Sequence, residues 1–247
     1  MNDSPAASAG RRYLREATRL LERLLTDEWA NIDKAAEVVA ATLERGGVIH
    51  VFGTGHSHIL AEELFYRAGG LERVRPILFD GLMLHVAPEL STSLERLPGL
   101  AAALLADHPI APEDVLIVAS NSGGNAVVCE LATSVGADGV PVIAIVSRRH
   151  ASSRAARAAD SPNLQDLADI VIDNGGAPGD AAIDIPGFER TVGPTSTVVG
   201  AAIVNAVVAE AVDRLVARGV RPDVFLSSNV AGGDEANREI LHDRDRR

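Results

Sequence analysis

The run Ser120-Asn121-Ser122-Gly123-Gly124-Asn125 separates the apolar residues up to Ala119 from an apolar, helix-patterned segment that starts at Ala126. Two or three residues suffice for a turn, so six small polar ones in a row call for a further reason. Hydroxyls and carboxamides donate hydrogen bonds, and glycine lets a ligand come close to the backbone. A second stretch of this kind, Gly53-Thr54-Gly55-His56-Ser57, follows residues 48–52, which are apolar except for His50. Each precedes a helical pattern, and the first turn of a helix presents unpaired N–H groups at the positive end of its dipole. Side by side, two such loops form a cradle for an oxygen-rich anion such as phosphate. Either alone reads equally well as a helix cap, because serine and asparagine are good N-cap residues.

Neither loop is a dinucleotide or nucleotide signature. His58 stands where G-x-G-x-x-G needs its last glycine, and no Gly-Lys-Ser/Thr follows either loop. Groups able to move a proton lie close by in sequence: His56, His58, Glu62 and Glu63, then His85 and Glu89 in "MLHVAPELS". His56 and His58 are two apart on a loop with no matched carboxylate or cysteine set, so no metal is expected. Cys129, the only cysteine, has an apolar flank and reads as a small core residue. It also rules out an intrachain disulfide, which fits a reducing compartment.

The elements that must position these loops follow from periodicity. Helical spacing covers 10–29 and about 32–45, with Gly46-Gly47 as a stop. These two helices precede the first strand and are suited to cover a sheet or a partner subunit. Short buried strands are expected over 48–53, 75–80, 114–120, 140–147 and 168–174. Helices are expected over 58–68, from the second loop to about 135, and over 195–219. Strands alternating with helices imply a three-layer α-β-α sandwich around a five-stranded parallel sheet. Ligands of such sheets bind beyond the carboxyl ends of the strands, where the strand order reverses, and both polar loops fall at such ends. The segment 147–163, with Arg148, Arg149, Arg154 and Arg157, reads as a solvated insert, and the tail from 219 to 247 as irregular, then briefly helical.

A net charge of −11 disfavours nucleic acid and anionic membrane as partners. The first 20 residues lack an apolar signal core and no apolar run is long enough to span a bilayer, so a cytoplasmic protein is expected. Aromatic residues make up only 3%, which leaves Ala, Val, Leu and Ile to build the core.

"GTGHS", "SNSGGN" and "GPTSTVVGAAIVNAVVAE" resemble the sugar isomerase, or SIS, domain over about residues 30–218. The match is closest to a bacterial branch, related to phosphoheptose isomerases, with "GTGHSHILAEELFYRAGG", "VIDNGG" and "GPTSTVVGA". That resemblance makes 1–29 a helical arm and 219–247 a tail. It implies a phosphorylated sugar or amino sugar as ligand, no cofactor, and a homodimer or higher homo-oligomer with the site near the interface. It also implies that Gly53, Gly55, Ser57, Ser120, Asn121, Ser122, Gly123 and Asn125 surround phosphate, with Thr195, Ser196 and Thr197 facing the same cavity from the closing helix. For aldose–ketose isomerisation it points to Glu63 as base, through "AEEL", with His56 or His85 assisting. Here "AEEL" sits four residues nearer the serine loop than in phosphoheptose isomerases, about one helical turn. A phosphosugar sensor and a phosphosugar etherase remain open as alternatives. No helix-turn-helix signature precedes the first strand, and "GTGHS" differs from the etherase loop "GTSGR".

Overall fold

The computed structural model describes residues 8–153 and 162–244. Arg154, Arg157 and the terminal Arg246 and Arg247 lie outside the described residues. Five parallel strands, β1 (Ile49–Gly53), β2 (Val74–Ile77), β3 (Val115–Ala119), β4 (Val142–Val146) and β5 (Ile170–Asp173), lie in the order β2-β1-β3-β4-β5. All five strands expected from the sequence are present, within a few residues of their expected ends. The chain leaves β1 for β2 on one side and later returns to pair β3 on the other. The order therefore reverses between β1 and β3.

Side chains alternate along each strand between two apolar layers. Ile49, Val51, Ile117, Ile143 and Ile172 point to one layer. Phe52, Leu116, Val118, Ala144 and Val171 point to the other. Helices α1 (Ala9–Arg23), α2 (Trp29–Glu44), α3 (Ile59–Leu64) and the long α9 (Ser196–Ala217) cover the first face. The other is covered by α5 (Leu100–Asp107), α6 (Ala126–Ala137) and the single turn α8 (Leu164–Leu167). Because both faces are buried, the strands read as near-continuous Val/Ile runs, the pattern of a parallel sheet.

Several elements differ from the sequence reading. The two N-terminal helices are joined by a wide π-turn, Leu24–Glu28, rather than a break, and α1 contributes Leu20 and Leu24 to the core. Helix α3 stops at Leu64, not near 68, because Phe65 is extended and Tyr66 adopts φ 42°. That left-handed backbone is disfavoured for a bulky residue, and an edge-on contact of Tyr66 with the buried Phe225, centroids 4.7 Å apart, accompanies it. The segment around His85 and Glu89 contains a helix, α4 (Pro88–Leu94), with proline in its first turn, where its missing N–H removes no helical bond. Helix α5, the one-turn α7 (Arg148–Ala151), α8, and a small antiparallel hairpin, β6 (Ala181–Ile183) with β7 (Val192–Pro194), carry weaker periodic signals, and α10 (Gly233–Arg244) closes the described chain.

At the amino end of the sheet, His50 is 6% exposed, and its Nε2 lies 3.1 Å from Asp114 Oδ2. Its Nδ1 is buried without a partner, which suits the neutral ring. Burial pushes the imidazole below its ordinary value, outweighing the opposite pull of Asp114. The unfolded chain therefore takes up a proton as pH falls through about 6.5, where the folded chain does not. Stability from this group is complete above that pH and declines below it. Urea midpoints are expected to fall between pH 7.5 and 5.5, and His50→Leu to flatten that fall.

Candidate functional site

Gly53 and Ala119 are paired across β1 and β3, so the two polar loops leave the sheet side by side at the reversal point. At Gly53 a Cβ would lie 2.6 Å from the backbone O and C of Ser57, so only glycine lets the tight turn Gly55–His58 fold back onto the strand end. In the second loop the Ser120 hydroxyl accepts from the Gly123 N–H at 3.1 Å. Gly123 has φ 64°, and its carbonyl accepts from Leu164 N–H at 2.8 Å and from the Cys129 thiol at 3.2 Å. Burial pushes the Cys129 thiol up to about 11, so it stays protonated and holds the loop.

The loops and the start of α9 enclose one cavity, lined by His56, Ser57, Leu60, Ala119, Ser120, Asn121, Ile145, Asn174, Ser196 and Thr197. Its volume of about 20 Å³ holds one water-sized group. His56 also lines a wider groove of about 490 Å³, with His58, Ile59, Glu62, Leu84 and His85. The hydroxyls of Ser57, Ser120 and Thr197 and the Asn121 carboxamide supply the cavity's neutral donors. Asn121 Oδ1 already accepts from Asn174 Nδ2 at 2.9 Å, which leaves its NH₂ end for a ligand. The N-terminus of α9 is already capped. Asp180 accepts from Thr195 N–H at 3.1 Å, from Ser196 N–H at 2.9 Å and from the Ser196 hydroxyl at 2.5 Å. Thr195 is fully buried, and its hydroxyl has no partner.

In the groove, the buried His58 holds the Gly55 carbonyl through Nδ1, and its Nε2 lies 3.5 Å from Glu62. The His85 ring is 5.9 Å from that of His58. Among the described residues, no cluster of three or more His, Cys, Asp or Glu is placed to hold a metal. No described helix is long and apolar enough to cross a membrane.

The sequence model of the SIS domain matches residues 12–147, more than half of the chain. The chain belongs to the SIS-domain family. A UPF0309 protein of Geobacillus sp. (strain WCH70) is 42% identical over 230 residues, covering 93% of each chain. A UPF0309 protein of Listeria innocua is 42% identical over 229 residues, again 93% of each. Among solved structures, a phosphoheptose isomerase from Francisella tularensis superposes with a TM-score of 0.55 at 15% identity, covering 81% of this chain and 95% of that one. The phosphoheptose isomerase of Neisseria gonorrhoeae gives 0.52 at 18%, covering 84% and 96%. At such identities these two likenesses speak for the fold.

Of the residues singled out in the SIS sequence, His56, Ser57, Ser120, Asn121, Ser196 and Thr197 line the cavity, and His85 lines the groove. Gly53, Gly55 and Gly123 shape the loops. The Ser122 carbonyl accepts from the buried Asn163 at 3.0 Å, and Asn125 precedes α6 without a side-chain capping bond. Glu63 lines neither space: its Oε1 accepts from Asn205 at 2.7 Å and pairs with Arg67. Sequence reasoning passed over Asn174, although the strand-end rule points to it, since it directly follows β5. Asp180 had no local signal; it reaches α9 only through the β6–β7 hairpin.

Gly123→Ala combines a left-handed backbone with a Cβ 2.6 Å from Asn163 Oδ1. A loss of about 1–3 kcal/mol is expected, read as a lower urea midpoint.

Proposed function

We propose that this SIS domain binds a sugar phosphate and interconverts its aldose and ketose forms. The observation that carries this reading is the convergence of Ser57, Ser120, Asn121 and Thr197 from three elements on one cavity at the switch point of the sheet. The relatives in fold include phosphoheptose isomerases. The cavity has room for one water-sized group, so it takes a single phosphate oxygen, with the rest of the phosphate at its mouth and the open-chain sugar extending past His56 into the groove.

There a base removes the C2 proton of the aldose to give an enediol. The proton returns to C1 while a hydroxyl proton passes between O1 and O2. Glu62 lines the groove and is half-exposed, which suits it to this role, with His56 and His85 donating to the sugar oxygens. Glu63, the base to which "AEEL" points, is engaged by Asn205 and Arg67. That engagement favours a second reading, a phosphosugar sensor that binds without turnover.

Proton NMR with a panel of sugar phosphates in heavy water separates the two. Saturation transfer with loss of a C1 or C2 proton signal supports the isomerase, and Glu62→Gln is expected to remove exchange while keeping binding. Saturation transfer without exchange supports the sensor. Neither signal overturns the ligand class.

A further inference from the structure

We propose that Asp180 restricts the cavity to singly charged oxyanions, a protonated phosphate monoester or a sulfate ester, and disfavours a phosphate dianion. This rests on the reading that the cavity takes an oxyanion oxygen, and it adds the charge state of the group that enters.

A phosphate monoester carries its second negative charge above about pH 6, and arginine or lysine is the usual counterpart of that charge. Among the described residues that line the cavity and the groove there is no arginine or lysine. The cavity's donors Ser57, Ser120, Asn121 and Thr197 are neutral. Two arginines of α1 are engaged elsewhere: Arg23 pairs with Asp173, and Arg12 donates to the Asp184 carbonyl. In the groove Glu62 adds negative charge, and His56, His58 and His85 are the groups able to become positive.

Asp180 stands at the amino end of α9, where the helix dipole would otherwise favour a bound anion. Its carboxylate accepts from the Thr195 and Ser196 N–H groups and from the Ser196 hydroxyl, so the first turn of α9 is already matched to a negative charge. Ser196 itself lines the cavity. A Cβ built at Gly176 would lie 3.7 Å from Asp180 Oδ1 and 3.7 Å from Asn121 Oδ1, so the two oxygens are within twice that distance of each other. The carboxylate is therefore beside any oxyanion that reaches Asn121. On its own loop the neighbouring titratable group is His150, whose Nδ1 accepts from the Gly179 N–H at 2.7 Å, the arrangement of a neutral ring. Nothing among these groups offsets Asp180, and a second charge on the ligand doubles the repulsion.

The test is saturation-transfer NMR on the full chain, titrated with methyl phosphate and with methyl sulfate on both sides of the second phosphate ionisation. Methyl sulfate stays singly charged throughout, so its pH dependence reports His56 and the other protein groups. The difference between the two probes reports the second charge of the phosphate. Well above about pH 6, methyl sulfate is expected to bind about tenfold tighter than methyl phosphate, and below it the two affinities are expected to converge. Asp180→Asn is nearly isosteric, keeps an oxygen for the two N–H groups, and suits the left-handed backbone at φ 68°. It is expected to remove most of the difference, whereas Ser196→Ala, which keeps the charge, is expected to retain it. Melting temperatures close to wild type establish that the variants fold. Methyl phosphate bound as tightly as methyl sulfate by the wild type at the higher pH overturns the proposal without any variant. A difference that survives in folded Asp180→Asn, or vanishes in Ser196→Ala, assigns the choice to another group and overturns it too. If neither probe binds at any pH, the proposal falls together with the oxyanion cavity.

Discussion

Asn121→Asp is expected to abolish sugar-phosphate binding while leaving the protein folded. The substitution is nearly isosteric, and the retained Oδ1 still accepts from Asn174 Nδ2. The change falls on the other end of the carboxamide, where a donor becomes an anionic oxygen beside the cavity. Two unit charges about 4 Å apart repel by about 4 kcal/mol at an effective dielectric constant near 20. At about 1.4 kcal/mol per decade, that is on the order of a thousandfold in affinity. Asn121→Ala removes the donor without adding charge and is expected to weaken binding by only about tenfold, the worth of one hydrogen bond to a charged group. Isothermal titration with the sugar phosphate that gives saturation transfer measures both. Equal losses for Ala and Asp would mean that no phosphate sits beside Asn121.

The parts of this site legible in the sequence are those whose signal is local. Small polar residues directly after a buried strand mark Ser57, Ser120 and Asn121, because a strand end and a helix start within a few residues constrain both conformation and chemistry. The alternation of Ile49, Val51 and Phe52 between two apolar layers was likewise readable as a buried strand. What the sequence hid depends on distant parts of the chain. Asp180 caps a helix 16 residues on, after a hairpin too short to show periodicity. Glu63 and Glu62 are adjacent in one motif, yet they face different neighbours. Helix phase separates them, and the early stop of α3 at Leu64 follows from a strained Tyr66 that no residue pattern announces. Helix α5, "LAAALLAD", is apolar on nearly every side, so it lacks the polar stripe by which an amphipathic helix is recognised.

Arg23→Met is expected to destabilise the protein by about 3–5 kcal/mol, the usual result of removing one partner from a buried ion pair. Arg23 leaves the last turn of α1 and meets Asp173, at the end of β5, with Nη2 2.8 Å from Oδ2. The same nitrogen lies 3.6 Å from Glu28 Oε1. The side chains of Asp173 and Glu28 are only 6% and 7% exposed, so without the guanidinium two carboxylates remain together with little water. The geometry depends on the π-turn Leu24–Glu28, whose wide turn lets Glu28 accept from the Asp173 N–H at 3.1 Å. Asp173 Oδ1 in turn accepts from the N–H groups of Arg148 and Gly175, and the next residue, Asn174, holds Asn121. The loss therefore extends from stability to the cavity. For a chain of this size each kcal/mol moves the melting temperature by about 2–4 °C, so a fall of about 10 °C is expected. Sugar-phosphate affinity should drop as the 173–176 loop loosens. Arg23→Met combined with Asp173→Asn removes one of the stranded charges and is expected to recover part of the melting temperature. A single variant that melts with the wild type would mean that Arg23 does not hold this loop, and that the link from α1 to Asn121 carries no energy.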